Sequence, residues 1–392
     1  MGPKNEREKA VCDWLAAQKG AMLSLIEKLV NTDSNSRDKA GVDAAGEILK
    51  AHYRGIGLEP ETIPHDTFGD AIRVPLPNPT ANDQRPIVLM GHRDTVFPTG
   101  EVKRRPFRID GDRAFGPGVA DMKSGLVMNA FIVEAFKHHG GNPGPLVALI
   151  TSDEEIASPS SRPVIEAEAR EARVVFNAEP GRPTGNVVKS RKGGVFMTFE
   201  ITGKAAHSGS MHQHGISAIE ELAQKTIAIH KLTNYDSGIT LNVGLIRGGQ
   251  TVNTVAPWAS GEIDMRYKRV ADRDKALAAI RRIIDTPTVA GTTATLRIDG
   301  EFLSLEQTAE SERLLALYQG TAAAAGLKVE GEASGGCADS GYTAAVGCPT
   351  ICGVGPVGGK GHTPDEYLEI ETIVPRAQAT ALAIMRLADA EI

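Results

Sequence analysis

The sequence predicts an α/β protein interrupted by a smaller α+β insertion, and three observations carry that reading. Short apolar runs ending in polar residues alternate with helical stretches up to about residue 191. A β-α-β-β-α-β order follows, the ferredoxin-like signature of one sheet covered by two helices. Helix and strand alternate again from residue 303. The expected organisation is a main domain over residues 1–191, an insertion over 192–302, and a return to the main domain over 303–392.

Residues 5–31 place Val11, Trp14, Leu15, Met22, Leu25, Ile26 and Leu29 at roughly helical spacing, and residues 41–56 read as a second helix. PIVLMGH is an apolar run ending in polar residues, the pattern of a buried strand feeding a functional loop. SGLVMNAFIVEAFKHHG is a helix closed by glycine. PLVALITSDEE and ARVVFNAEP are further buried strands with acidic residues at their carboxyl ends. In an open α/β sheet that edge is where sites form. In the insertion, VFMTFEITG, ITLNVGLIRGG, ASGEIDMRY and TATLRIDG are strands, while ISAIEELAQKTIAIHKL and DRDKALAAIRRIID are helices. SERLLALYQGTAAAAG, PTICGVG and a final helix complete the main domain.

Composition narrows the function. A net charge of -6 over 392 residues argues against nucleic acid as a partner. The short basic clusters Lys103–Arg105 and Lys189, Arg191, Lys192 read as solvated loops. No apolar run approaches the roughly 20 residues of a membrane helix. The first twenty residues are charged and lack a secretory core, so a cytoplasmic protein is expected unless a leader has been removed. Cys12, Cys337, Cys348 and Cys352 are too few for a disulfide scaffold, and Cys348 and Cys352 read as packed thiols.

Five segments carry the chemistry: GHRDTV (91–96), GPGVADMKSG (116–125), TSDEE (151–155), NAEPG (177–181) and GHTPDE (361–366). Each alone is weak; Asp121, for instance, could simply cap the helix that follows it. Apolar strands running repeatedly into acidic residues are harder to dismiss, because charge at a sheet end needs pairing or a cation. Two imidazoles and several carboxylates suit zinc. The spacing of His92 and Asp94 lets the aspartate accept the second ring N–H of the histidine and fix its tautomer. Adjacent Glu154 and Glu155 point apart in an extended chain, so one can bind metal while the other contacts a bound water.

In this order the segments resemble the co-catalytic zinc metallopeptidases, a family that includes bacterial glutamate carboxypeptidase, aminoacylase, succinyl-diaminopimelate desuccinylase and carnosinases. The glutamate carboxypeptidase branch is the closest. The resemblance runs from about residue 20 to the end. It implies a zinc-peptidase catalytic domain with a mixed central sheet and an inserted lid and dimerisation domain. It implies two divalent ions, zinc with manganese or cobalt as alternatives, held by His92, Asp121, Glu155, Glu179 and His362. His92 and Glu179 are expected on separate ions, with Asp121 bridging and a cis Asp121–Met122 peptide after it. Glu154 matches the general base, Asp94 the aspartate behind the histidine, and His207 a histidine that polarises the substrate carbonyl, often from a partner subunit. Asn253 and Arg266 match positions that hold a substrate carboxylate, and Gly335 and Gly336 a turn lining the pocket. His212 and His214 are expected to be solvated.

Two departures stand out. Met122 occupies a position where several relatives are acidic, and Glu301 falls near an arginine of glutamate carboxypeptidases. Glu301 would then repel a second carboxylate, so the expected partner is a small molecule with one carboxylate near the scissile bond. The function expected is hydrolysis of a peptide or N-acyl amino acid amide by a homodimer. The alternatives are hydrolytic deamination of a small aromatic amine, and a non-catalytic binding protein on a decayed scaffold, which intact Glu154 and the five ligands oppose.

Overall fold

Ile87–His92, Leu146–Thr151, Val174–Asn177 and Thr350–Cys352 are buried along their whole length, which is why they read as continuous apolar runs rather than alternating ones. The computed structural model, which describes residues 2–392, pairs them in parallel as the centre of an eight-stranded sheet. Ala71–Leu76 joins Leu146–Thr151 antiparallel, with Glu61–Ile63 beyond it, and Val187–Arg191 and Gly331–Ser334 close the other side. The sheet is therefore mixed. His92 pairs with Thr151, and Met90 with Asn177, so the parallel strands end together at one edge.

Ser124–His139 is apolar nearly all round because other helices surround it: Glu6–Ala17, Lys19–Val30, Lys39–Gly55 and Ile373–Arg386 all pack on it. Gly125 lets it approach the sheet; a Cβ there would lie 2.0 Å from the Ala178 carbonyl oxygen. The single helix expected over 5–31 is two helices. Glu6–Ala17 closes at Gln18, whose N–H returns to the Leu15 carbonyl, and Lys19–Val30 starts anew. A small sheet was not foreseen. Gly358–Gly359, Tyr367–Glu369, Arg113–Phe115 and Arg108–Asp110 form it, each strand too short for a periodic signal. It ties the chain before His362 to the chain before Asp121.

The chain divides into two compact units. One takes the chain up to Ser190 with Gln307–Ser334 and Ala338–Ile392, and the other is Arg191–Glu306 with Gly335–Cys337. The second unit is an antiparallel sheet ordered Thr240–Gly248, Trp258–Tyr267, Gly193–Thr202, Thr293–Phe302, the ferredoxin-like arrangement. Val195, Met197, Phe199, Ile201, Ile263 and Met265 fill its core with residues of Ala218–His230 and Val270–Asp285. Phe196, Asp264 and Arg266 alternate onto the opposite face.

The two helices are held by a buried ion pair. Lys225 lies 2.8 Å from Glu221 and donates to the carbonyls of Ile283, Ile284 and Thr286, while Glu221 accepts the N–H groups of Thr288 and Val289. Lys225→Met leaves the buried Glu221 carboxylate without its cation and the Ile283, Ile284 and Thr286 carbonyls without this donor. The expected loss is about 3–5 kcal/mol, read as an earlier denaturant midpoint for this unit, whereas an unchanged midpoint would show the pair to be dispensable.

Candidate metal centre

The site is assembled at the edge where the parallel strands end. His92 is the last residue of its strand, Glu154 and Glu155 follow Leu146–Thr151, and Glu179 follows Val174–Asn177. Asp121 sits in the turn Val119–Lys123 ahead of Ser124–His139; it does not cap that helix. His362 lies in the loop between Gly358–Gly359 and Tyr367–Glu369 of the small sheet and holds a positive φ of 63°. Among the described residues, the non-glycine positions with positive φ are Ala157, Ser158, Lys360 and His362. All four lie in the two loops that carry Glu154, Glu155 and His362, the pattern expected where backbone strain serves a site.

Side chains from these loops form groups of potential donors. His92 Nε2 lies 3.1 Å from Asp121 Oδ1 and 3.6 Å from Glu179 Oε1. His362 Nε2 lies 3.3 Å from Asp121 Oδ2 and 3.1 Å from Glu155 Oε2. Donors about 2.0 Å from a tetrahedral ion stand about 3.3 Å apart, so both groups have the spacing of a coordination shell. Asp121 presents one oxygen to each. Glu154 belongs to a further grouping with His92 and Glu155, its Oε2 4.0 Å from His92 Nε2.

His92 and Glu179 do not fall to separate groups; both stand in one group with Asp121. Their strands are neighbours in the sheet, and each residue stands two positions beyond the paired residues Met90 and Asn177, so the side chains reach the same point. The extended geometry expected for the glutamate pair is also replaced. The strand stops at Thr151 and Glu154–Ile156 is a 3₁₀ turn. Asp94 shapes that turn: its carboxylate accepts the N–H of Glu154 and of Glu155, each at 3.1 Å, and the Ser36 hydroxyl at 2.6 Å. The same carboxylate lies 3.3 Å from His92 Nδ1, which also sits 3.0 Å from the Asp94 carbonyl. Asp94 thus orients the histidine and the glutamate pair together.

Glu366, present in GHTPDE but given no role from sequence, holds the Asp121 turn. It is fully buried and accepts the N–H groups of Gly118, Ala120 and Asp121 at 2.9–3.0 Å. A turn this rich in unpaired N–H groups requires an acceptor, the one signal that could have pointed to it. The Asp121–Met122 peptide is cis.

The electrostatics describe a site short of positive charge. Burial, with Glu179 and Glu155 nearby, pushes the Glu154 carboxyl well above its usual range, although His92 opposes this. Burial and Asp121 raise Glu155 to about 7. Hydrogen bonds to Asp121 and Glu155 raise His362 to about 10, while burial opposes the similar rise of His92 that Asp121 and Asp94 enforce. Carboxyls that resist ionising beside imidazoles that hold protons are what a carboxylate cluster shows when it gathers any available cation. The donor set therefore fits divalent ions.

In the second unit, the His207 and Asn253 loops meet: the Ser208 N–H donates to the Asn253 carbonyl, and His207 bridges to Thr254. His207 Nδ1 accepts the N–H groups of Gly209 and Ser210, each at 3.2 Å. Arg266 is engaged along one edge by Asp264, at 2.7 and 3.1 Å, and its Nη1 lies 2.7 Å from Cys337 Sγ. Gly335 and Gly336 belong to this unit, where Arg191 donates to the carbonyls of Gly336 and Cys337. Arg191 is thus a buried strand residue and not part of a solvated loop. His212 and His214 are exposed in a 3₁₀ turn.

Glu301 does not behave as expected. A register shift between Ile298 and Gly300 reverses the alternation of its strand. Glu301 pairs with Val195, on the helix-covered face, and forms an ion pair with Arg273 of Val270–Asp285. Arg266 lies on the other face. The repulsion expected between Glu301 and a second substrate carboxylate has no basis in this arrangement.

A mixed α/β sheet with imidazoles and carboxylates gathered at its carboxyl edge, in a chain that also carries a ferredoxin-like insertion, is the architecture of a hydrolase family. The chain belongs to peptidase family M20/M25/M40, whose model matches residues 88–386. It is an enzyme of this family of metallopeptidases and amidohydrolases. It is 26% identical over 394 residues to carboxypeptidase G2 of Pseudomonas sp. (strain RS-16), covering 97% of this chain and 93% of that protein. Succinyl-diaminopimelate desuccinylase of Leptothrix cholodnii is 28% identical over 389 residues, covering 90% and 95%. Among solved structures, an M20 family metallo-carboxypeptidase from Sulfolobus solfataricus shares the fold, with a TM-score of 0.77 at 16% identity over 94% of this chain and 99% of that one.

Proposed function

We propose that the protein hydrolyses an amide bond, in a peptide or an N-acyl amino acid, next to a free carboxylate. The observation that carries this reading is the division of the Asp121 oxygens between two donor groups. His92, Asp121 and Glu179 would hold one divalent ion, and Asp121, Glu155 and His362 the other, with zinc favoured by nitrogen and oxygen donors. When bound, such ions supply Lewis acidity that makes water nucleophilic near neutral pH. Glu154, buried beside both groups, takes the proton of the attacking water and returns it to the leaving nitrogen. Asp94 holds Glu154 and His92 in place for this.

His207 suits a role as donor to the substrate carbonyl oxygen. Its Nδ1 is committed as an acceptor, so the neutral ring carries its proton on Nε2. We assign this donor to a partner subunit in a homodimer formed through the inserted unit. The edge strand Thr240–Gly248 exposes Leu245 and Ile246, an edge that a second copy would cover. Mixing inactive Glu154→Gln chains with His207→Ala chains is expected to restore activity in heterodimers. No recovery after demonstrated chain exchange would remove His207 from the partner's site.

Arg266, oriented by Asp264 through Nε and Nη2, is the proposed clamp for the substrate carboxylate. Arg266→Lys is expected to lower kcat/KM by about 1–3 kcal/mol with metal content unchanged, and full kcat/KM would place the carboxylate elsewhere. The reading as a whole is tested by screening metal-replete enzyme on acyl-amino acids, dipeptides, folate-like glutamates and aromatic amines. Turnover of amides with a free carboxylate, lost when that carboxylate is blocked, is the expected result. Turnover of aromatic amines alone would make the protein a deaminase, and metal binding without turnover would make it a binding protein.

A further inference from the structure

We propose that Asp339 is a positioning residue for Glu154, fixing both ends of the loop that carries the glutamate pair. This rests on the reading of Glu154 as general base. The loop leaves the sheet at Thr151 and ends at Ser158, which precedes the helix Ser161–Glu171. Asp339 is buried, and its carboxylate receives both boundary hydroxyls: Thr151 Oγ1 donates to Oδ2 at 3.1 Å, and Ser158 Oγ donates to Oδ1. Three residues on, the Tyr342 hydroxyl donates to the Ala157 carbonyl at 3.0 Å.

These contacts hold an unfavourable backbone. Ala157 and Ser158 take φ values of 68° and 51°, two successive left-handed residues without a glycine. Such a pair persists only where its surroundings over-determine it. Asp94 fixes the middle of the loop through the N–H groups of Glu154 and Glu155. It does nothing for the ends, at Thr151 where the strand stops and at Ala157 and Ser158 where the chain turns in left-handed geometry, and where release would let the Glu154 carboxylate drift. Asp339 is not a member of any group of potential metal donors among the described residues, so its effect is expected on the base and not on metal retention.

The test uses the metal-loaded full chain, with Glu154→Gln as reference. Asp339→Ala is expected to bind two ions per chain and keep KM, but to lose kcat by roughly 100-fold, the scale of a small misplacement of a catalytic group. Asp339→Asn, whose amide can still meet both hydroxyls, should recover most of that rate. The double variant Thr151→Val with Ser158→Ala should reproduce the loss, and adding Asp339→Ala to it should cost little more, because one interaction has been removed twice. The double variant keeps the question open to test if Asp339→Ala fails to fold. Wild-type kcat in Asp339→Ala, or metal lost in step with rate, or a rise in KM at constant kcat, would each overturn the proposal. Undiminished turnover in Glu154→Gln would instead overturn the base on which it rests.

Discussion

Glu154→Gln is expected to retain both metal ions and lose two orders of magnitude or more in kcat, a loss of about 2.7 kcal/mol or greater in transition-state stabilisation. Glutamine keeps the size of the side chain and its hydrogen-bonding reach, but it cannot accept the proton of the attacking water. Glu155→Gln should do the opposite. Glu155 Oε2 lies 3.1 Å from His362 Nε2 within a donor group, so replacing that oxygen should weaken metal binding before it changes the chemistry. The pair is a sensitive comparison because distances alone leave Glu154 eligible as a donor. Metal content by elemental analysis beside kcat at saturating substrate separates the two variants. The reverse pattern would exchange the roles of the two glutamates.

Asp121→Ala should abolish metal binding and activity together. Its two oxygens belong to different donor groups, so one substitution strips a ligand from both. The groups differ in exposure: His92 is 1% exposed and the His362 side chain 53%. Without the bridge, the group around His362 has only Glu155 and an accessible histidine, and should lose its ion first. Calorimetric titration of the metal-free variant is the measurement. Two ions per chain with normal turnover would remove Asp121 from the centre.

Much of the site was legible in sequence because charge at the end of an apolar strand is costly, and the chain repeats that pattern at His92, Glu154 with Glu155, and Glu179. The ferredoxin-like insertion was legible from the order of its periodic segments. Spatial neighbourhood was not. His92 and Glu179 share a group because Ile87–His92 lies between Leu146–Thr151 and Val174–Asn177, an order that succession along the chain does not reveal. Glu366 was missed because the demand for it arises in the backbone of another loop. Glu301 was misread because a single extra residue near Asp299 turns its side chain to the far face of the sheet. The small sheet beside His362 was missed because strands of two or three residues carry no period.

On the function proposed, two cations share Asp121. Diffraction from crystals grown with zinc, recorded at the zinc absorption edge, tests it most directly. Two anomalous peaks per chain are expected, one among His92, Asp121 and Glu179 and one among Asp121, Glu155 and His362, with a different oxygen of Asp121 facing each. A single peak, or peaks that leave Asp121 outside their coordination, would contradict it.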